Sequence, residues 1–161
     1  MTKKTDYTDE EWATLRRAPL VAGLAITLAD PGGPIEATKE TMASLRAVAS
    51  PGSDEELLVA LSQDAMALTQ QRQNPLKDFK PRGATAGQEV LDELRAANEI
   101  VSAKATPEEA AGFRVWLIAA AKASADAAKE GGFMGFGAEQ VSQGERTMLE
   151  QLGKVLGVEP A

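Results

Sequence analysis

The chain has 161 residues, 43% of them hydrophobic and 25% charged, a length and balance that suit one folded domain with its own core. A formal charge of −7 repels phosphate backbones and sets nucleic acid aside as a partner. Cysteine and histidine are both absent, which removes thiolate and imidazole nucleophile pairs and ordinary structural zinc sites and leaves hard-cation chemistry as the attractive kind.

Residues 1–7 are charged, lack the apolar segment of a secretory signal and are expected as a flexible tail ahead of an all-helical domain spanning 8–158, with 159–161 trailing it. A cytoplasmic residence is the corresponding expectation. The first helix should open at Thr8, whose hydroxyl stands three residues before Glu11 in a capping box. Tyr7, just ahead of that cap, suits a hydrophobic staple, and Trp12 and Leu15 fall on the buried side. Pro19 should stop or kink this helix and start a second one, from Leu20 to about Ala29, apolar nearly all round like the central helix of a bundle. The apolar run containing it, Ala18 to Ala29, falls short of the roughly 20 residues that a bilayer span needs, so no membrane role is expected.

Asp30-Pro31-Gly32-Gly33-Pro34 breaks the pattern as a tight corner. The third helix is predicted from Ile35 to Val48, with Ile35, Met42, Leu45 and Val48 inward, and the fourth from a box of Ser53 with Glu56. A long loop at 73–83, tinted basic by Lys77, Lys80 and Arg82, divides the chain. Boxes of Thr85 with Gln88 and Thr106 with Glu109 open the fifth and sixth helices, the latter with Pro107 preset at its first position. The small residues from Ala121 to Ala128 would let a neighbouring helix approach closely. Ser142 with Glu145 opens the seventh helix, which Gly157 ends. Runs of alternating β-branched residues are missing, so the predicted fold is all-α, a single-domain bundle of about seven helices.

Two places could carry chemistry. Glu36 and Glu40, spaced i, i+4 beside Asp30, put two carboxylates on one helix face, and Asp126 and Glu130 repeat the spacing late in the sixth helix. Oxygens so arranged suit Ca²⁺ or Mg²⁺; the plainer reading is a set of solvated surface acids neutralised by Lys39 and Lys129. The segment Gly131 to Gly137 holds Phe133, Met134 and Phe136 among glycines, either as a plug over the bundle end or as an exposed patch for a protein partner.

Residues 21–49, VAGLAITLADPGGPIEATKETMASLRAVA, and 141–158, VSQGERTMLEQLGKVLGV, resemble the tellurite-resistance TerB-like family of small all-helical bacterial proteins. Asp30 matches that family's corner acid, Gly32 or Gly33 its glycine, Ile35 the aliphatic residue and Glu36 the next acid; Val141, Ser142, Glu145, Leu149 and Leu156-Gly157 match its closing helix. Pro31 departs from the pattern at the first corner, and the second has GGFMGFG where Asp-Gly is expected, leaving Glu130 and Glu139 as substitutes. The resemblance implies a TerB-like fold, divalent-cation binding at acidic corners and a part in stress-response or metal-resistance assemblies without enzymatic turnover. The rival reading is a hydrolase or other enzyme in which Asp30, Glu36, Asp126 and Glu130 bind a metal that activates water.

Overall fold

A computed structural model describes residues 2–29, 34–130 and 143–158, the side chains of 34–37 and 128–130 excepted. Among the described residues there are six α-helices and no strand: α1 (Asp9–Ala29), α2 (Pro34–Ala49), α3 (Glu56–Gln70), α4 (Ala86–Lys104), α5 (Pro107–Glu130) and α6 (Gln143–Leu156). Short 3-10 turns at Lys4–Asp6 and Gly83–Thr85 precede α1 and α4.

The first two predicted helices are one. Pro19 lies inside α1 although it lacks an N–H and crowds the carbonyl a turn earlier, at a cost of about 3 kcal/mol. Leu20, Val21 and Ile26 beyond it are buried, each stabilised by roughly 1.5–3 kcal/mol, and that gain outweighs the break. The same segment shows the expected all-round burial, because α1 touches each of the other five helices, as does α5.

Pairings across the interfaces give the directions. Thr27 meets Glu40, and a Cβ at Gly23 would meet Ser44, so α1 and α2 are antiparallel. Ser124 meets Ser44 and the Trp116 indole donates to the Ala47 carbonyl at 2.8 Å, so α2 and α5 are antiparallel too. It follows that α1 and α5 run parallel. Arg17 pairs with Glu93 at 2.7 Å and Lys104 with Glu11 at 2.6 Å, setting α4 antiparallel to α1. The last turn of α6 lies beside α4, where the Asn98 amide donates to the Val155 carbonyl.

The helix starts divide by backbone conformation. In the Thr8–Glu11 box the Thr8 N–H donates to the Glu11 carboxylate at 2.9 Å and the Glu11 N–H to the Thr8 hydroxyl at 3.1 Å; Thr106 and Glu109 do the same at 3.0 and 3.1 Å. Tyr7 completes the staple on Trp12, ring centroids 5.8 Å apart. The Ser53 box does not form: the Ser53 hydroxyl accepts from the Glu55 N–H, a local turn that competes with capping, and α3 begins at Glu56. Nor does that of Thr85, whose φ −95°, ψ 1° follows from the preceding 3-10 turn and lies outside the extended region a cap needs; its hydroxyl turns to Glu89 instead. Ser142 lies outside the described residues.

The remaining connections tighten the core. The loop after α3 folds Leu76 and Phe79 against it, with the Arg17 guanidinium 5.8 Å above the Phe79 ring, while Arg72, Lys77, Lys80 and Arg82 stay exposed. Gly157, at φ +70°, ends α6 in a Schellman turn, the Val158 N–H donating to the Gly153 carbonyl. Arg72 holds the equivalent position after α3 at φ 59°, with the Gln73 N–H bonded to Leu68. That conformation costs a non-glycine residue roughly 1–2 kcal/mol, and glycine's extra chain entropy returns about 0.5–1 of it. Arg72→Gly should therefore stabilise the protein by about 0.5–1 kcal/mol, a rise of roughly 1–4 °C in Tm by differential scanning calorimetry; a fall in Tm would contradict the strain.

Candidate functional site

The inner face of α2 includes Val48, and Leu45 packs against the core as expected, but the rest of the stripe departs from the apolar pattern. Met42, expected inward, is 48% exposed, whereas Glu40, expected on a solvated face, is 1% exposed. Glu40, Ser44 and Val48 form the buried stripe at i, i+4 spacing. Their seat explains the rotation. Gly23 of α1 has no side chain, and a Cβ there would lie 2.0 Å from the Ser44 hydroxyl oxygen and 2.9 Å from that of Ser124. Only small side chains fit where α1, α2 and α5 come this close, and a methionine at the crossing would not.

Polar groups in so tight a place need partners, and they have them. The Ser44 and Ser124 hydroxyls share a hydrogen bond of 2.7 Å, and the Ser124 hydroxyl reaches the Glu40 carbonyl at 3.4 Å. One turn further along, the Thr27 hydroxyl donates to the Glu40 carboxylate. The result is a buried file of oxygens, with Ser124 and Ser44 at its base and the Glu40 carboxylate toward the end where α1 finishes, α2 begins and α5 ends.

The predicted acids divide accordingly. Glu36 and Glu130 belong to the first turn of α2 and the last turn of α5, and their side chains lie outside the described residues, as do Asp30, Phe133, Met134 and Phe136 altogether. Asp126 is exposed on α5. For Glu40 the surface reading is overturned, because Thr27 and the small-residue crossing draw it inside. Among the described residues no group of three or more acids could hold a metal ion. Thr27, Ser44 and Ser124 escaped the sequence reading; the signal for them was Gly23 and Thr27 one turn apart, opposite the small-residue run at 121–128.

Replacing Gly23 by alanine should cost stability even though alanine favours a helix by about 1 kcal/mol, because overpacking a core costs about 1–3 kcal/mol and the new Cβ would meet both the Ser44 hydroxyl and the Ser44 Cβ. We expect Gly23→Ala to lower Tm by roughly 2–8 °C and Ser44→Ala, added to it, to restore part of the loss by removing the hydroxyl in its way. Additive losses in thermal melts of the single and double variants would be evidence against this crossing.

No protein-family model, curated protein or solved structure matches the chain.

Proposed function

We propose that this chain is a non-enzymatic, TerB-like helical module that takes Ca²⁺ or Mg²⁺ at the bundle end where α2 begins and α5 finishes, and that Phe133, Met134 and Phe136 serve a protein partner. The supporting observation is the antiparallel pairing of α2 with α5, which brings the acid-bearing turns Glu36–Glu40 and Asp126–Glu130 to the same end of the bundle. α1 ends there as well, at Ala29, one residue before Asp30.

The donor set suits a hard cation, since every candidate is an oxygen and Glu40 brings a carboxylate already oriented by Thr27. A full cage would draw on Asp30, Glu36 and Glu130 and on carbonyls of the 30–33 corner. A metal there would tie the ends of α1, α2 and α5 together and take up the repulsion of closely spaced acids. The hydrolase alternative is less well served. It needs Asp30, Glu36, Asp126 and Glu130 around one dry pocket, and Asp126, the one of the four whose side chain is described, is exposed.

Millimolar Ca²⁺ or Mg²⁺ should raise Tm, because a ligand bound by the native state alone at 100 times its dissociation constant adds about 2.7 kcal/mol, or roughly 5–11 °C for a chain of this size. Asp30→Asn and Glu40→Gln should each abolish the response. Equal stabilisation by NaCl at matched ionic strength would show screening of the net charge and refute the site.

A further inference from the structure

Residues 2–7, expected to trail as a flexible tail, lie on the bundle at the end away from Glu40. The Thr2 N–H and hydroxyl both donate to the carboxylate of Glu109 on α5, each at 2.8 Å. The Thr2 hydroxyl also shares a hydrogen bond of 2.9 Å with the Tyr7 phenol. Lys4 pairs with Asp64 of α3 at 2.9 Å, and the same carboxylate oxygen accepts from the Trp12 indole at 2.8 Å. Lys104 of α4 donates to the Asp6 carbonyl at 3.2 Å while pairing with Glu11 of α1.

Two carboxylates and one ammonium, on α5, α3 and α4, thus hold one short segment, which is itself almost wholly polar. Lys3, Lys4, Thr5 and Asp6 are exposed, Thr2 is half-buried, and Tyr7 alone is buried. The helices beneath are joined by an apolar core. Polar and charged contacts therefore hold residues 2–6, while Tyr7 joins the apolar core that holds the bundle.

We propose that residues 2–7 are a proton-sensitive latch, closed at neutral pH and released in acid ahead of the bundle, uncovering an acidic groove of Glu109 and Asp64 floored by Trp12. The groups facing one another there are Lys4, Asp6 and Tyr7 of the segment, Glu11 and Arg16 of α1, Asp64 of α3, Lys104 of α4 and Glu109 of α5. Burial raises the Glu109 carboxyl, but hydrogen bonds from Thr106 and Thr2 outweigh it and leave it below the ordinary range. Burial likewise raises the Asp64 carboxyl, and Lys4, Trp12 and Arg16 outweigh it and leave it below the ordinary range. Lys104 and then the Thr8 N–H lower Glu11.

A carboxylate lowered in the folded state stabilises it above the ordinary carboxylate range, and the contribution is lost as pH falls through the lowered value. Acid therefore opens the latch only below that range. The Tyr7 phenol is raised, first by burial and further by Glu109, Asp6 and Glu11 against the Thr2 hydroxyl, so its contribution persists through neutrality and is lost above the ordinary phenol value.

Trypsin reads the latch directly, because Lys3 and Lys4 lie within it and Arg114 lies within α5. At pH 8, Glu109→Gln and Asp64→Asn should speed cleavage after Lys3 and Lys4 about tenfold or more, the loss expected for a hydrogen bond to a charged group when proteolysis follows the open population. Cleavage after Arg114 should keep the wild-type rate. Asp64→Asn carries the test alone if Glu109→Gln, which also alters the α5 cap, fails to fold. In an acid titration of the wild type, the near-ultraviolet circular dichroism of the Tyr7–Trp12 pair should disappear at a higher pH than the helical signal. Cleavage at Lys3 and Lys4 no faster than in the wild type, equal acceleration at Arg114, or coincident loss of the two dichroism signals would overturn the latch.

Discussion

The absence of a side chain at Gly23 sets the distance between three helices. With no Cβ there, α2 and α5 approach α1 closely enough for the Ser44 and Ser124 hydroxyls to bond across it at 2.7 Å, and the other helices pack around that crossing. The parallel pair α1 and α5 becomes the axis of the domain, each touching all five other helices. The cost is a polar interior. Once α2 is seated by small residues, its stripe carries Glu40 inward along with Ser44 and Val48, and Thr27 must be placed to receive the carboxylate.

The buried carboxylates Glu40 and Glu109 mark opposite ends of the molecule and are satisfied in different ways. Glu109 works locally as half of a capping box and at long range as the anchor for Thr2, so its oxygens accept backbone and hydroxyl donors from two segments. Glu40 is held by a hydroxyl from a neighbouring helix at the end where the acid-bearing turns gather. An unbonded acid at either place would cost several kcal/mol. The two ends are therefore chemically differentiated, each by a buried carboxylate with its own donors.

Much of the fold was legible because it is local. The Thr8 and Thr106 boxes, the Tyr7–Trp12 staple and the Gly157 stop each involve residues within a few positions of one another, and each stands where the pattern puts it. What escaped the sequence depends on partners remote in the chain. Pro19 continues a helix because five others bury it; Met42 turns outward because Gly23 and Ser124 leave no room; the box at Thr85 fails because a 3-10 turn has already bent the chain. For the candidate site, the acids could be named from spacing alone. Which of them faces inward could not, since periodicity on α2 favours Met42 and the crossing decides otherwise.

The parallel pairing of α1 with α5 also governs when the domain can form during synthesis. The second half of α1, from Leu20 on, is apolar nearly all round and leaves the ribosome ahead of the other helices, yet the helix's most intimate partner comes far later: Ser124 follows Ser44 by 80 positions. At about 5–20 residues per second, the α1–α2 hairpin waits on the order of 4–16 s for the residue that closes the crossing. Through that interval Leu20, Val21 and Ile26 lack their covering helix. A nascent chain so arranged is a natural client for holding chaperones, and its folding is completed late, close to all at once, rather than helix by helix.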